Sequence, residues 1–589
     1  MITEDQFSIL YYLKDKPGSP QRETAAACGL SLGSANTGIR QLTEQGHLAD
    51  DALTPSGLKI LDNFKVDNAV ILAAGMSSRL APLSYDKPKG LLIVKGEVMI
   101  ERQIRQLQEA GISDITVVVG YMKEQFFYLK SKFGVDIVVN DEYNTKNNTS
   151  SIIRVKDKLK NTYIVYSDLY FANNVFKSHV YASYYPSKMR YGYSNDYGYT
   201  ADRNGRITAM TTYSCDELGL VGEIYLDREG SSRFVFYLEK EYQIPTVQHE
   251  LLDDILMRHL KDIELYTRVY DEDTVHQFDT FEELRAFDPD FIANIDSPII
   301  GNICSALKCE RNSITILGPL KTGYTNTSFI FEQGGRKYIY RHPGIGTETY
   351  INRKCEAFAE ENAKRMGIDK TVIHIDHESG WKISHFIEGC RDMNLENKEE
   401  LKKAMGLLKK LHDEKLQFDW DFNPIERVEE HINAMKSAGR NVSEFTEQHK
   451  RMQKLYNYTE QDGYGRVLCH NDTWYLNYLV NNDLFLLIDW EYAGMGDPSA
   501  DVANFTAGVN FNEAQFTELC ELYESHPLSE KEKRHFFGYR GLMMYYWFVW
   551  AVRQEFQGIM VGEYLQMWYE VAEEYSVKAL TMYEQKGVK

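Results

Sequence analysis

The spacing of apolar residues changes along the 589-residue chain, whose length alone predicts three or four domains. In residues 1–65 apolar side chains recur every three or four positions, which is the period of an amphipathic helix. In residues 66–296 short apolar runs alternate with helical stretches, a pattern typical of a doubly wound α/β sheet. In residues 297–589 short strands precede longer amphipathic helices. We therefore predict a multidomain protein of mixed α/β and α+β class.

Turn-forming residues divide the first two domains into short elements. Pro17 and Gly18 end the first helix, and a second cluster of small residues begins at Ala73. The first domain is predicted to contain helices over 4–13, 22–28 and 32–45, then a small wing and a last helix that reaches Phe64. The second is predicted to contain strand 68–72, helix 99–110, strand 115–119, helix 122–133, strand 135–140 and strand 163–166.

Composition narrows the class of protein only a little. A hydrophobic content of 43% with 26% charged residues describes an ordinary globular protein, and a net charge of −20 argues against a general nucleic-acid binder. The chain has no apolar run of membrane-spanning length, no secretory leader and no Cys-x-x-Cys pair among its eight cysteines. We expect a cytoplasmic protein with reduced thiols and no membrane insertion.

The first domain resembles a winged helix-turn-helix module of the kind found in transcription regulators. Its recognition helix would offer Asn36, Thr37, Arg40 and Gln41 to a DNA groove. Only Arg40 is basic, whereas DNA-binding domains usually gain most of their affinity from several Lys and Arg on phosphates. DNA binding therefore stays open, against a module that packs on the enzyme or dimerises it into a homo-oligomer.

A strand followed by a small-residue turn opens the second domain. The string LAAGMSSRLAPL is followed by KPK. Backbone N–H groups in such a turn, at Ala73, Ala74 and Gly75, can approach a triphosphate closely. Arg79 and Lys89 can neutralise charge that develops on a bridging phosphate. The whole signature resembles the sugar-phosphate and phosphocholine nucleotidyltransferases, which have a Rossmann-like sheet.

The resemblance implies a two-carboxylate Mg²⁺ site in this domain. Asp168 follows strand 163–166 and would be the first ligand. Asp279 lies in a segment similar to the family's closing motif and is the second candidate, although it could equally cap the helix that it precedes. The implied reaction is attack of a phosphate monoester on the α-phosphorus of a nucleoside triphosphate, and CTP is favoured over UTP only because the third domain indicates choline. Asn147 and Asn148 match an Asn-rich segment that contacts nucleotide and substrate in phosphocholine cytidylyltransferases.

The third domain contains an ordered set of phosphoryl-transfer residues. His470, Asp472 and Asn477 precede an apolar run that ends at Asp489. Phosphoryl transfer needs a carboxylate to accept the proton of the attacking hydroxyl and oxygen ligands for Mg²⁺. This set resembles the aminoglycoside-phosphotransferase and choline-kinase superfamily, which has a protein-kinase-like fold. By resemblance Asp472 is the base, and Asn477 and Asp489 hold Mg²⁺.

The same resemblance identifies nucleotide-binding residues for ATP. Gly318, Gly323, Thr325 and Asn326 match a loop over the phosphates, with Pro319 in place of a family glycine. Arg341 occupies the position of the ATP-binding lysine of protein kinases, and Glu356 on the next helix would be its ion-pair partner.

Aromatic residues near the C-terminus suggest the substrate. Trp547 and Trp550 share a helical face, and related choline kinases build an ammonium cage from aromatics near this place. Glu491 would add a carboxylate. The alternative is an ordinary aromatic core helix.

Together the resemblances imply a fused choline kinase and phosphocholine cytidylyltransferase with domains over 1–65, 66–296 and 297–589. The expected substrates are choline, ATP and CTP, with Mg²⁺. Two alternatives remain: the same reactions on ethanolamine or another small alcohol, and a DNA-binding sensor whose enzyme-like domains only bind ligand.

Overall fold

The computed structural model describes residues 2–320, 326–344 and 346–585 and divides the chain into two compact units. The first unit is Met1–Ile299 and the second is Ile300–Lys589. The winged helix and the α/β sheet both lie in the first unit, and the protein-kinase-like fold makes up the second. The predicted fold class is confirmed.

The winged helix begins with a helix that the sequence caps strongly. Thr3 and Gln6 form a capping box at the start of this helix, and its Ile9 and Leu10 are fully buried. At the wing, a Cβ on Gly57 would meet the carbonyl oxygen of His47 at 2.2 Å, so a glycine is required there. The module's helices are Glu4–Asp15, Gln21–Ala27, Leu32–Glu44 and Pro55–Leu61, and its strands are Leu48–Ala49 and Ala52–Leu53.

The sheet of the first unit is parallel at one end and antiparallel at the other. Strand Asn68–Ala73 pairs in parallel with Ile115–Val119 and Thr162–Tyr166, whereas Ile224–Leu226 pairs antiparallel with Thr162–Tyr166. The described strands run in the order Ile207–Thr211, Gly198–Ala201, Leu218–Leu220, Tyr184–Met189, Ile224–Leu226, Thr162–Tyr166, Asn68–Ala73, Ile115–Val119 and Asp136–Val139, with Tyr266–Val269 beside Tyr184–Met189.

Both faces of this sheet are covered, which explains the continuous apolar runs. Ile71 and Val117 belong to the core on one face, and Val70 and Val118 belong to the core on the other. The α-helices of this domain are Leu83–Asp86, Met99–Glu109, Tyr128–Phe133, Thr149–Ile153, Arg228–Glu241, Leu252–Arg258, Phe281–Phe287 and Phe291–Asn294.

One local prediction for this domain was wrong, and one open alternative is excluded. The helix predicted over 122–133 is a 3-10 turn, Lys123–Phe126, followed by the short helix Tyr128–Phe133, because Met122 has a left-handed φ of 46°. Asp279 does not cap the helix Phe281–Phe287. Thr280 and Glu283 form the capping box there.

The second unit has a small antiparallel sheet and a larger helical part. Its five described sheet strands lie side by side in the order Ile314–Pro319, Asn326–Gln333, Arg336–Pro343, Lys382–His385 and Val372–Ile375. Along the chain, helix Arg353–Met366 connects strand Arg336–Pro343 to strand Val372–Ile375. The other helices are Pro298–Leu307, Lys398–Asp413, Pro424–Ser437, Thr446–Gln461, Ser499–Asn504, Glu513–Glu524, Glu530–Phe556 and Tyr564–Gln585.

Two short ladders in the second unit carry the predicted kinase residues. Val467–Cys469 pairs with Gly494–Gly496, and Tyr478–Val480 pairs with Phe485–Leu487. The loops between these strands contain Asp472 and Asp489. None of the described helices is both long and apolar enough to cross a membrane.

Candidate active sites

A cavity of about 410 Å³ lies at the carboxyl ends of the parallel strands in the first unit. It brings together residues from distant parts of the sequence. The predicted residues that line it are Ala73, Ala74, Gly75, Arg79, Lys89, Asn147, Asn148, Asp168 and Asp279.

Lys89 and Asp168 form the most buried ion pair of this cavity. The Lys89 Nζ lies 2.9 Å from an Asp168 carboxylate oxygen, and the Lys89 side chain is 6% exposed. The neighbouring Gly90 lets this pair form, because a Cβ there would lie 2.9 Å from the Ser167 Cβ. Ser167 is itself held by a hydrogen bond from its N–H to the Leu72 carbonyl, 3.0 Å long.

Arg79 and Asp279 form a second ion pair on the exposed side of the cavity, with 3.3 Å between the charged groups. Because Thr280 caps the following helix, the Asp279 carboxylate is left to the cavity. Asp168 and Asp279 are thus two oxygen donors balanced by two cations. Carboxylate oxygens are what Mg²⁺ prefers, so the residues present fit a divalent cation.

The Asn-rich segment shapes the cavity wall through hydrogen bonds to a later part of the chain. The Asn148 side-chain oxygen accepts from the Leu252 N–H at 2.7 Å, and the Asn147 amide donates to the His249 carbonyl at 3.3 Å. Sequence reasoning missed Asp253, which follows Leu252 in helix Leu252–Arg258. Asp253 is buried and accepts hydrogen bonds from the hydroxyls of Tyr166 and Tyr185.

Burial raises the pKa of Asp253, while the two tyrosine hydroxyls oppose the rise. Tyr166 also lines the cavity and is the residue through which Asp253 reaches it. The only sequence signal for this pair was the position of Tyr166, which ends strand Thr162–Tyr166 two residues before Asp168.

The kinase-like loop of the second unit is held by one buried carboxylate. Asp501 accepts hydrogen bonds from the backbone N–H groups of His470 and Asn471, at 2.8 and 2.6 Å. It also bonds to His412 at 3.0 Å. These bonds maintain Asn471 in the left-handed conformation, with φ of 62°, which few residues other than glycine adopt.

His470 joins this loop to the strand that ends at Asp489. Its Nδ1 accepts a hydrogen bond from the Asp472 N–H at 3.2 Å, so its Nε2 carries the proton and donates to the Ile488 carbonyl at 3.0 Å. Burial lowers the pKa of His470, which favours this neutral form. The histidine is therefore a positioning residue, and the following Asp489 has a left-handed φ of 70°.

Asp472 lies among other acidic groups. Burial raises its pKa well above the usual range, and Asp489 and Glu491 raise it further. The Asn477 amide donates to the Asp472 carbonyl at 2.8 Å and to its carboxylate at 3.1 Å. A divalent cation would offset this repulsion, and the oxygen donors of Asn477 and Asp489 fit Mg²⁺.

Arg341 is buried between two acidic residues. Its guanidinium contacts the Glu356 carboxylate directly and lies 3.7 Å from Asp489. Burial disfavours its charge, but Glu356 outweighs that effect and raises the pKa of Arg341. Gly318 lies on strand Ile314–Pro319, whereas the predicted loop residues Gly323 and Thr325 lie outside the described residues.

Glu491, predicted to bind choline, and Asn326, predicted to bind the nucleotide, contact each other. The Asn326 amide donates to the Glu491 carboxylate at 2.6 Å, and Arg353 lies 3.8 Å from the same carboxylate. Glu491 is only 3% exposed. Its negative charge therefore already has a cation nearby.

Trp547 and Trp550 lie in an aromatic cluster on helix Glu530–Phe556, and both are buried. The Trp547 ring centroid is 5.4 Å from those of Tyr492 and Trp550 and 6.0 Å from that of Trp568. Trp474, two residues after Asp472, is 6.0 Å from Trp568. Sequence reasoning missed Trp474, Tyr492 and Trp568 as members of this cluster.

A hydrogen-bond chain links this cluster to the loop that contains Asp472. The Trp547 Nε1–H donates to the Asn504 side-chain oxygen at 2.8 Å, and the Asn504 amide donates to the Asn471 carbonyl at 2.9 Å. The aromatic helix thus supports the strained residue next to Asp472. This part of Trp547's role was absent from the sequence pattern.

Three family models match separate parts of the chain. A winged helix-turn-helix DNA-binding model matches residues 6–46, a MobA-like NTP transferase model matches 69–195, and a choline/ethanolamine kinase model matches 318–539. The matches contain Asp168 of the first cavity and all four predicted phosphoryl-transfer residues of the kinase-like loop.

Similar curated proteins fall into the same two classes. A choline-phosphate cytidylyltransferase of Streptococcus pneumoniae is 32% identical and covers 37% of this chain and 95% of its own length. A 2-aminoethylphosphonate cytidylyltransferase of Lancefieldella rimae is also 32% identical and covers 39% of this chain and 95% of its own. Protein LicA of Haemophilus influenzae is 25% identical and covers 41% of this chain and 94% of its own.

The first of these relatives is matched over nearly its whole length, and the kinase model lies entirely in the other unit. The chain therefore belongs to the nucleotidyltransferase family that includes the S. pneumoniae choline-phosphate cytidylyltransferase, and it carries a winged helix-turn-helix domain before that enzyme domain and a choline/ethanolamine kinase domain after it.

Proposed function

We propose that the chain makes CDP-choline in two consecutive reactions. The kinase domain transfers a phosphoryl group from ATP to the hydroxyl of choline. The nucleotidyltransferase domain then transfers a cytidylyl group from CTP to phosphocholine and releases pyrophosphate. One observation carries the proposal: the product of a choline kinase is the substrate named for a relative of the other domain, and one chain contains both.

In the kinase domain, Asp472 would accept the proton of the choline hydroxyl as the oxygen attacks the γ-phosphorus of ATP, and the bond from that phosphorus to the oxygen of the leaving ADP would break. Asn477 orients that carboxylate, and His470 holds the loop against the strand before Asp489. Asn477 and Asp489 would hold Mg²⁺, which neutralises charge on the transferring phosphoryl group when bound. Arg341, fixed by Glu356, would contact the ATP phosphates.

In the nucleotidyltransferase domain, a phosphocholine oxygen would attack the α-phosphorus of CTP, and the bond to pyrophosphate would break. Lys89 and Arg79 lie in the cavity where negative charge would increase and would stabilise it. The backbone at Ala73, Ala74 and Gly75 would bind the triphosphate. Asp168 and Asp279 would hold Mg²⁺, which neutralises charge between the phosphates when bound.

We propose choline rather than ethanolamine as the kinase substrate because an aromatic cluster lies beside the loop that contains Asp472. A trimethylammonium group has no N–H donor and is recognised mainly by aromatic ring faces. Trp474 and Tyr492 belong to this cluster and lie within three residues of Asp472 and Asp489. Ethanolamine carries three N–H donors and would favour carboxylates and carbonyls over rings.

A second candidate is suggested by the L. rimae relative, whose name specifies 2-aminoethylphosphonate. That compound has a primary amine and a phosphonate, so the cytidylyl acceptor of this chain would then differ from the kinase product. The kinase would act on ethanolamine or another small alcohol instead.

The two candidates are separated by assaying each reaction alone with a panel of substrates. With ATP and Mg²⁺, we expect kcat/KM for choline to exceed that for ethanolamine at least about tenfold, the factor of one aromatic contact. With CTP and Mg²⁺, we expect kcat/KM for phosphocholine to exceed that for 2-aminoethylphosphonate. A preference for ethanolamine in the first assay and 2-aminoethylphosphonate in the second would replace choline by the second candidate.

A further inference from the structure

A second cavity lies between the winged helix and the sheet domain of the first unit. The first helix, Glu4–Asp15, covers the segment 177–181 of the sheet domain. The Phe7 and Tyr181 rings are 5.7 Å apart, and the Tyr181 hydroxyl donates to the Ile2 carbonyl at 3.2 Å. These contacts leave a space of about 540 Å³ beside them. It shares no lining residue with the cavity at Asp168.

The lining of this second cavity has an excess of positive charge. Lys16, Lys177 and Arg268 line it, against the carboxylates of Glu4 and Asp15. Asp15 is already paired with Lys14 at 2.8 Å, a lysine outside the lining. An excess of cations is unusual in a chain of net charge −20.

Two of these cations make no direct polar contact among the described residues, although the charge of Arg268 opposes the rise that burial causes in the pKa of Glu223. Within the described chain, the side chains of Lys177 and Arg268 make neither a hydrogen bond nor an ion pair. Arg268 instead lies over the Tyr184 ring, with 3.7 Å between the guanidinium carbon and the ring centroid. Burial and the charge of Arg268 both lower the pKa of Lys177. The two cations therefore repel each other in a partly desolvated place.

Other groups at the cavity suit a phosphate-bearing molecule. His179 is buried, and its ring bonds to the Ser178 hydroxyl at 3.0 Å. The Tyr11 ring lies 5.6 Å from the His179 ring, and Tyr181 is also in the lining. A phosphate offers several strong acceptors for a guanidinium and an ammonium, and the rings would pack on whatever it carries.

We propose that this cavity is a second, non-catalytic binding site for a small phosphate-bearing anion, held by Lys177 and Arg268. Because its walls come from the winged helix and the sheet domain, the ligand binds both and stabilises their contact. The site does not depend on the proposed reactions, although phosphocholine is one molecule of the required class.

Hydrogen–deuterium exchange of the full chain tests this site, because it reports where a ligand acts. Inorganic phosphate, phosphocholine and choline are each added at millimolar concentration. We expect phosphocholine to slow exchange in peptides covering residues 4–15 and 177–181, and choline to leave them unchanged. If inorganic phosphate protects them as well as phosphocholine does, the ligand is free phosphate; if it does not, the ligand is an organic phosphate. Either result supports the site.

Matched variants decide whether the two cations bind the ligand. Lys177→Gln and Arg268→Gln should each raise the ligand concentration that gives half-maximal protection at least about tenfold, because each removes a charge-assisted hydrogen bond. Arg203→Gln removes an exposed cation elsewhere in the same domain and should change nothing. Should Arg268→Gln disturb the packing on Tyr184, Lys177→Gln decides alone, since its side chain has no hydrogen bond or ion pair to lose within the described chain.

Three results would overturn the proposal. These are protection that is confined to peptides near Asp168, protection that survives in Lys177→Gln, and equal protection by choline. Loss of protection at residues 4–15 does not bear on the proposed reactions, and absence of CDP-choline in an assay does not bear on this site.

Discussion

Gly90 shows how one missing side chain positions Lys89, the lysine proposed to act in cytidylyl transfer. The Lys89–Asp168 pair lies beside Ser167, and a Cβ on Gly90 would come within 2.9 Å of the Ser167 Cβ. At Gly75, by contrast, a Cβ would meet no described atom within 4 Å. Gly90 is therefore required by close packing against Ser167, whereas a side chain at Gly75 would only fill open space in the cavity.

Alanine substitutions should separate these two reasons. Gly90→Ala should lower kcat of the nucleotidyltransferase at least about tenfold, because it displaces Ser167 and the neighbouring ion pair. Gly75→Ala should mainly raise KM for CTP, because the methyl group would occupy space that the triphosphate needs. Steady-state kinetics with phosphocholine measure both, and the kinase reaction of the same preparation is the control. A Gly75→Ala enzyme with an unchanged KM would show that the triphosphate does not approach this residue.

His535 is a buried histidine between two carboxylates in the second unit. Its ring nitrogens lie 3.3 Å from Asp462 and 3.0 Å from Asp497. Burial opposes its charge, but hydrogen bonds to these two residues outweigh that effect and raise its pKa. A raised folded-state pKa stabilises the fold fully below about pH 6.5, the unfolded value. The stabilisation is lost as the pH rises through the folded-state pKa.

His535→Gln should therefore destabilise the second unit most at low pH. We expect a loss of about 3 kcal/mol in the free energy of unfolding at pH 6, since a buried charged partner is removed, and a smaller loss at pH 8.5. Tryptophan fluorescence during urea unfolding measures this unit alone, because all seven tryptophans lie between residues 381 and 568. His377→Gln, at an exposed position, is the control. An equal loss at both pH values would contradict the assignment of a protonated His535.

Helix Glu530–Phe556 supports the catalytic loop as well as the aromatic cluster. Trp547 contributes its ring to the cluster and its N–H to the chain that runs through Asn504 to Asn471. Asn471 has a left-handed φ and adjoins Asp472, so a loss of this chain should affect the geometry of the proposed base.

Trp547→Phe separates the two roles because it keeps a ring and removes the donor. We expect kcat of the kinase to fall about tenfold, with KM for choline changed less than about threefold. Trp547→Leu removes both and should also raise KM for choline. If Trp547→Phe raised KM alone, Trp547 would act on choline directly rather than through Asn471.

The winged helix is poorly suited to DNA as it stands. The recognition residues Asn36, Thr37, Arg40 and Gln41 are exposed, yet the Gln41 side chain accepts a hydrogen bond from Gln6. Residues 1–65 contain six basic and eight acidic side chains, so the module as a whole is negative. Phosphate contacts by Lys and Arg supply most non-specific affinity for DNA.

We expect the full chain to bind a random 30-base-pair duplex no more tightly than about 100 µM at physiological salt, the weak end of non-specific binding. Fluorescence anisotropy over a range of salt concentrations measures this. Micromolar binding that weakens steeply with salt would show that the module is a working DNA-binding domain.

At the scale of the whole molecule, contiguous motifs were the part of the sites that the sequence predicted. His470, Asp472, Asn477 and Asp489 lie close together in the chain, and Ala73 to Lys89 form one strand-and-turn segment, so their spacing carries the information.

Contacts across long sequence separations could not be predicted from spacing. Asp501 holds His470 and His412 from 31 and 89 residues away, and Tyr166 meets Asp253 over 87 residues. A single residue also overturned local periodicity where it adopted a left-handed conformation, as Met122 did. The cavity at Lys177 and Arg268 depends on how two domains meet, which no local pattern encodes.

The two enzyme domains explain each other if they share an intermediate. The kinase would make a phosphate monoester and the transferase would consume one, so the product of the first must be the substrate of the second. The aromatic cluster and the similar proteins both favour choline as the starting alcohol. The central claim is therefore that choline passes through both reactions in order.

A product assay with the purified chain, choline, ATP, CTP and Mg²⁺ tests this claim most directly. We predict that the wild type makes CDP-choline. Asp472→Ala should lose at least about 10³-fold in phosphocholine formation but make CDP-choline when phosphocholine is added, and Lys89→Ala should accumulate phosphocholine. If the wild type makes neither phosphocholine nor CDP-choline, or if added phosphocholine fails to rescue Asp472→Ala, the account of two consecutive reactions on choline is contradicted.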